Sequence, residues 1–405
     1  MKVAIIGGGA AGCFAAIVAA KCGHQVTIFE KNERIGKKIL VTGNGRCNLA
    51  NKETNSNQYV SFHGENKKWL DEVLKQCDTQ KVLELFHEMG LITKAKEELI
   101  YPSCQQASVV LDTLRYKIKE YGIHVTTNSK VTGISEKNGY WIETGSQKMK
   151  FDRVIICTGG KAAPKTGSDG DSYKLAKMLG ISVTQLKPAL VQLIIQDDFF
   201  KKNSGIRFDG TIKCKVEKST YTETGELQIT DYGISGIPSL QMSLYITKYL
   251  PEKKITGEID FLPVISEESL FRELENRVNS QNGQTGITVE EGFTGILNNK
   301  LLLHLLKKSN INPSREIGEI NKNDFIPFIK NIKSFPITIS GCQTFDNAQV
   351  TLGGITIDEV STTMESKKHK GVFFAGEALD IAGRCGGFNL QWAWCSAYVA
   401  ARNLE

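Results

Sequence analysis

Apolar residues run unbroken from Val3 to Ile6, stop at Gly7, and resume as the alanine-rich segment Ala10–Gly23. A short apolar run bounded by glycine predicts a buried strand, and the longer run behind it predicts a helix. Val26–Phe29 predicts a second strand, completing a strand–helix–strand unit. Val154–Cys157 and Val372–Ala375 repeat the short buried-strand pattern far downstream. The closing stretch, about Asn389–Asn403, is apolar on nearly every side and reads as a buried helix.

Between these segments the period changes. Alternation over Val191–Ile195, Thr211–Val216, Leu227–Thr230 and Ile255–Phe261 predicts short strands, as in a small β-barrel. Helical spacing takes over in Leu270–Val278, Leu301–Leu306 and Phe325–Ile332, and strands return at Phe335–Ile339 and Val350–Ile357. The fold class this predicts is α/β: a Rossmann-like nucleotide-binding domain (1–190 and 345–405), an inserted β-barrel (191–260 and 333–344) and a helical insert (261–332). A chain of 405 residues is long enough for two or three such domains, each with its own core.

The glycines turn the first unit into a site. Gly7, Gly9 and Gly12 have G-x-G-x-x-G spacing between the predicted strand and helix. The first permits the turn, the second lets a pyrophosphate approach the backbone, and the third lets helix and strand pack closely. The N–H groups of Ala10 and Ala11 then stand at the helix N-terminus, where the dipole favours phosphate. Glu30 ends the second strand, where a carboxylate accepts hydrogen bonds from a ribose 2′-OH. At the other end of the chain, Gly376-Glu377 follows a strand, with Asp380 close behind, and offers carboxylates to ribitol hydroxyls. Gly387 opens the last helix, placing Phe388, Asn389 and Leu390 at an N-terminus able to stabilise negative charge on a reduced flavin. The two ends together predict FAD.

Composition narrows the class. The formal charge of +6 and pI near 8.6 are mildly basic with no long like-charge run, so a nucleic-acid partner is not expected. No stretch approaches the length of a membrane span. Ten cysteines, at 13, 22, 47, 77, 104, 157, 214, 342, 385 and 395, include no C-x-x-C pair. This argues for reduced thiols in a cytoplasmic protein, against a zinc site, and against disulfide-reductase chemistry, because Cys47 lacks a nearby partner. The glycine- and base-rich loop from Lys31 to Asn48 offers Lys31, Lys38 and Arg46 as charge partners and Gly43 and Gly45 for close backbone approach.

GGGAAG, GKKILVTGNGRCN, TMESKKHKGVFFAGEALD and GRCGGFNLQWAW together resemble the BaiN-type, aminoacetone-oxidase-like family of FAD-dependent oxidoreductases. TGG at 158–160, TGSDGD at 166–171, PALVQL at 188–193 and ISGIPSL at 234–240 extend the likeness along the whole chain. Asp171-Ser172 stands where the family tends to Asp-Gly, and Gln106 where a basic residue is common. The resemblance implies the same FAD domain with inserted domains. It also implies cofactor contacts from Gly45, Arg46, Cys47, Asn48, Val131, Thr158 and Gly159, and hydride transfer through flavin N5. Substrate expectations divide between NAD(P)H-dependent reduction of a conjugated C=C in an oxo-steroid-like small molecule and oxidation of a small amine by oxygen. An FAD-containing nucleic-acid-binding or modifying protein and an NAD-only dehydrogenase are the rivals. No second G-x-G-x-x-G follows a strand, so a nicotinamide reductant would use the substrate side in turn. Tyr101, Arg384, Cys385 and His369 are conceivable proton donors or anchors, and no catalytic residue is assigned.

Overall fold

The computed structural model describes residues 1–64, 67–145, 147–280 and 286–405 and divides the chain into two compact units, 1–189 with 344–405 and 190–343. The first is built on a parallel sheet of five strands in the order Val372–Phe374, Arg153–Ile156, Lys2–Ile6 (β1), Gln25–Phe29 (β2), His124–Thr126. Its strands carry near-continuous apolar residues because both faces are covered. The register aligns Ile6 with Ile156 and with Phe29, and Ile156 with Phe374. Four strand ends therefore lie along one carboxyl edge, which places Gly7, Glu30, Thr158 and Gly376 side by side although the sequence spreads them over most of its length.

Helix Ala10–Lys21 (α1) is buried on nearly all sides, and its small residues let the C-terminal helix Phe388–Arg402 pack against it. Phe14, Phe86 and Trp394 form a buried aromatic triangle with centroid separations of 5.1–5.4 Å. Among the described residues four further small sheets complete this unit: Val131–Glu136 with Tyr140–Thr144 and Lys148–Phe151, Ala50–Asn51 with Leu99–Pro102 and Thr93–Lys96, Lys187–Ala189 with Val350–Leu352, and Tyr59–Val60 with Ala382–Gly383.

The second unit is a closed six-stranded barrel in the order Leu193–Ile195, Gly233–Gly236, Ser219–Thr230, Arg207–Val216, Ile255–Asp260, Phe335–Cys342. Closure leaves no free sheet edge. Helices Glu267–Ser280, Asn299–Lys308 and Lys322–Lys333 follow the expected spacing. They share one core with the barrel, where Phe261 lies 6.0 Å from Phe199 and 5.5 Å from Phe335 between ring centroids. The stretch expected as a separate helical domain therefore folds as part of the barrel unit; its residues 281–285 lie outside the described residues. The expected strand Val350–Ile357 is also shorter, covering Val350–Leu352. Gly353 and Gly354 end it at φ +93° and +159°, and a Cβ at Gly353 would stand 2.0 Å from the Gln185 carbonyl oxygen.

Candidate functional site

The turn after β1 has the geometry its glycines predict. Gly7 adopts φ +103°, and a Cβ there would lie 2.7 Å from the Cys157 carbonyl oxygen. A Cβ at Gly12 would lie 1.8 Å from the Gly7 carbonyl oxygen, so helix and turn touch. Gly9, the N-cap of α1, differs: a Cβ there meets nothing within 4 Å. No side chain caps this helix and its first turn holds no acid, which leaves the first N–H donors, those of half-buried Ala10 and buried Ala11 among them, available to an anion.

Glu30 is buried at the end of β2. Its Oε2 accepts the Gly8 N–H at 2.8 Å, and its Oε1 accepts the Asn32 N–H at 2.8 Å and side-chain amide at 2.7 Å. These bonds fix the carboxylate and leave lone pairs for a ribose. The Ser129 N–H donates to the Glu30 carbonyl at 2.9 Å, bringing buried Val131 to the same end. The ammonium of Lys31, expected at the cofactor, pairs with Asp169 and, at 2.9 Å, with Asp171. Burial opposes ionisation of Asp171, but hydrogen bonds from Lys130 and Lys31 outweigh it and hold its carboxyl down to about 2.

The C-terminal motif meets the same edge. Gly376 adopts φ +72°, and a Cβ on it would lie 3.0 Å from the Ala11 Cβ. Two residues one helical turn apart pin it: Ser396 Oγ accepts its N–H at 2.9 Å and Trp392 Nε1 donates to its carbonyl at 3.1 Å. Trp392, buried in the helix, thus also shapes this turn. Glu377 and Lys38, expected as separate ligand contacts, are brought together as an ion pair at 2.7 Å. Glu377 Oε1 also accepts from the Thr351 N–H and hydroxyl, each at 3.0 Å. Asp380 accepts the Phe62 N–H at 2.8 Å, and burial raises its carboxyl above the usual range.

Gly387 is the N-cap of the C-terminal helix, at φ +93°, again without a side-chain cap or an acid in the first turn. Asn48, its amide oriented to satisfy the network, accepts the Gly387 N–H at 3.2 Å and donates to the carbonyls of Ala50 and Ile100 at 3.0 and 3.1 Å. Asn389 is engaged with its own chain, bonding both the N–H and the carbonyl of Gly383 at 2.8 Å. Phe388 is buried, and its carbonyl accepts the Tyr59 hydroxyl at 3.1 Å; Leu390 is half-buried. Cys47 is fully buried and its thiol pushed up to about 11, chiefly by burial, so it is no nucleophile. Gly45, at φ +81°, faces open space, and Arg46 is exposed. Thr158 leaves a buried hydroxyl without a partner, at the strand end beside Gly7, and the carbonyl of Gly159 accepts the Ser172 hydroxyl. His369 bonds Glu136 at 3.0 Å and the Leu179 carbonyl at 2.7 Å, which makes it a tie between loops.

Two helix N-termini uncapped by side chains, an open glycine cradle, an unpartnered threonine hydroxyl and a carboxylate fixed at the end of β2 fit FAD. These features define a dinucleotide-binding flavoprotein.

The whole chain also matches a known family: residues 1–403 fit the HI0933-like protein Rossmann domain. The chain belongs to that family and is an FAD-dependent oxidoreductase. It is 39% identical over 407 residues to the 3-dehydro-bile acid delta(4,6)-reductase of Clostridium scindens, covering 99% of this chain and 98% of that one. It is 31% identical over 410 residues to the ribosomal RNA dihydrouridine synthase of Haemophilus influenzae, with the same coverage of each. The 3-ketosteroid delta1-dehydrogenase of Sterolibacterium denitrificans shares the fold, with TM-score 0.50 and 10% identity over 99% of this chain and 98% of that one. Among the described residues no helix is long and apolar enough to cross a membrane.

Proposed function

We propose that this enzyme reduces a C=C bond conjugated with a carbonyl in a small, largely apolar molecule such as an oxo-steroid dienone, with NADH or NADPH as the source of electrons. The observation that carries this reading is the end-to-end 39% identity with a reductase whose name specifies that chemistry. Bound FAD supplies two-electron transfer through its N5. The chain's own contribution is orientation and charge. The uncapped start of α1 faces the diphosphate, Glu30 holds the adenosine ribose, and the start of the C-terminal helix lends positive potential to the flavin's pyrimidine edge. The chain carries one glycine fingerprint of this kind, which supports a nicotinamide that enters from the substrate side and leaves before the substrate binds, a ping-pong order. The test is anaerobic: NADH or NADPH should bleach the flavin, and a dienone should restore its colour. Bleaching by a small amine with recovery through oxygen, and none by either nicotinamide, would reverse the reading to an amine oxidase.

A second reading rests on a separate observation. The basic surplus lies in the flavin unit, with 32 Lys and Arg against 25 Asp and Glu, while the barrel unit has 18 against 19. Uracil also presents a C=C conjugated with a carbonyl, so the ribosomal RNA relative suggests a uridine in RNA as the alternative acceptor. Salt-dependent RNA retention and the appearance of dihydrouridine in RNA treated with enzyme and nicotinamide would favour it.

A further inference from the structure

We propose that Arg46 binds the substrate's carbonyl oxygen and holds the negative charge that collects there during reduction, instead of pairing with the cofactor's diphosphate. The proposal rests on the reading above, in which the reducible C=C is conjugated with a carbonyl.

The loop carrying Arg46 is unusual in its backbone. Gly43, Asn44, Gly45 and Cys47 all adopt positive φ, at 54°, 53°, 81° and 57°. Two of these are not glycine, and each such residue costs roughly 1 kcal/mol or more. The conformation is held on both sides. The Thr42 hydroxyl donates to the Ile39 carbonyl at 2.6 Å, and the Arg46 and Cys47 N–H groups donate back to Gly43 and Thr42 at 3.1 Å. Cys47 is fully buried, and Asn48 is tied to Gly387, the N-cap of the C-terminal helix. The loop is thus fixed against the helix end that suits the flavin ring.

Its one long side chain is left over. Arg46 is exposed, and of the chain's ten arginines it alone has no side-chain partner among the described residues. The diphosphate has its own cradle at Gly7–Gly12, and the nearby cation Lys38 is taken by Glu377. Val41, 60% exposed in the same loop, adds an apolar contact. A guanidinium and an exposed aliphatic carried on one short loop suit an apolar ring system bearing an oxo group.

The chemistry needs such a cation. Two electrons and a proton form the new C–H bond at the β-carbon, and the C=C pair shifts so that negative charge appears on the carbonyl oxygen. A proton then adds at the α-carbon and the carbonyl is restored. The electrons come from a dihydronicotinamide, which leaves as the oxidised nicotinamide. Arg46 stays charged throughout, and its forked donors stabilise the oxyanion.

The test uses the FAD-loaded enzyme and pentafluorophenolate, an aryl oxyanion that gives a long-wavelength charge-transfer band when stacked on oxidised flavin. Arg46→Ala should keep its FAD-to-protein ratio, yet bind the phenolate at least about tenfold more weakly. Its reoxidation by a dienone should slow by about 100-fold or more, the loss typical of one oxyanion donor. Arg46→Lys should recover part of both. Loss of FAD from Arg46→Ala, equal phenolate affinity in variant and wild type, or no band with the wild type would each overturn the assignment. Failure of any dienone to reoxidise the reduced wild type would overturn the reading itself, and a persisting phenolate difference would identify that case.

Discussion

Lys38 Nζ lies 2.7 Å from Glu377 Oε2, joining residues 339 positions apart in the sequence. Lys38 also donates to the Ala162 carbonyl at 3.2 Å, so one ammonium ties the loop after β2, the turn after Arg153–Ile156 and the C-terminal motif together. Both side chains are mostly buried, at 27% and 20% exposure, where a charge-assisted hydrogen bond contributes more than at a free surface.

Removing either partner leaves the other charge partly buried and unpaired. Lys38→Met and Glu377→Gln should each lower stability by about 1–2 kcal/mol, and the double variant should cost less than their sum. Both should weaken FAD retention, because Gly376 sits next to the disturbed carboxylate. Thermal unfolding with FAD dissociation measured on the same samples checks this, and strict additivity would refute the coupling.

The glycine turn gives a sharper contrast. At Gly9 a side chain points into open space, so Gly9→Val should fold but lose flavin because the branched side chain occupies the path of the diphosphate. At Gly12 a Cβ would collide with backbone at 1.8 Å, so even Gly12→Ala should fail to accumulate as soluble protein. Flavin released from the wild type by heat and separated by chromatography should be FAD and not FMN. A full flavin content in Gly9→Val would detach the cofactor from this turn.

The parts of the site readable in the sequence are those whose signal is local. Gly7–Gly12 between an apolar run and an alanine-rich run needs no tertiary knowledge, nor does Glu30 at a strand end. Thr351, Ser396 and the tying role of Trp392 were not legible, because each acts on Gly376 or Glu377 through the folded register. Lys38 and Glu377 were each visible as charges, but nothing local says that they spend those charges on one another. The barrel strands follow their alternation, whereas Lys148–Phe151 is not legible as a strand, since its sequence of Lys, Met, Lys and Phe with only the last buried carries too little period-two contrast. The strand expected through Ile357 failed at Gly353-Gly354, where backbone crowding overrides the apolar run.

Asp171 supplies a pH dependence. Its side chain is 7% exposed and meets Lys31 and Lys130 at 2.9 Å and Lys174 at 3.4 Å. The folded-state value near 2 lies below the ordinary 3.8, so the stabilisation is present above pH 4 and is lost as pH falls toward 2. The difference corresponds to about 2 kcal/mol at neutral pH. Asp171→Asn should therefore be less stable than wild type at pH 7, with the gap closing in acid. A constant difference in unfolding free energy between pH 5 and pH 2.5 would show that the ion cluster does not carry it.

Thiol reactivity tests whether the cysteines stand outside the chemistry. Cys22 and Cys104 are exposed, Cys342 and Cys385 intermediate, and the remaining six buried. Burial pushes the Cys13 and Cys214 thiols up to about 12, leaving almost no thiolate at neutral pH. A thiol reagent should modify Cys22 and Cys104 rapidly and at most four cysteines before unfolding, with flavin absorbance unchanged by the rapid phase. Cys47 should be protected despite its place beside Arg46, because its side chain is enclosed while its neighbour's is exposed. Rapid modification of Cys47 with loss of flavin, identified by peptide mass mapping, would mean that the loop opens and that its left-handed backbone is not fixed as described.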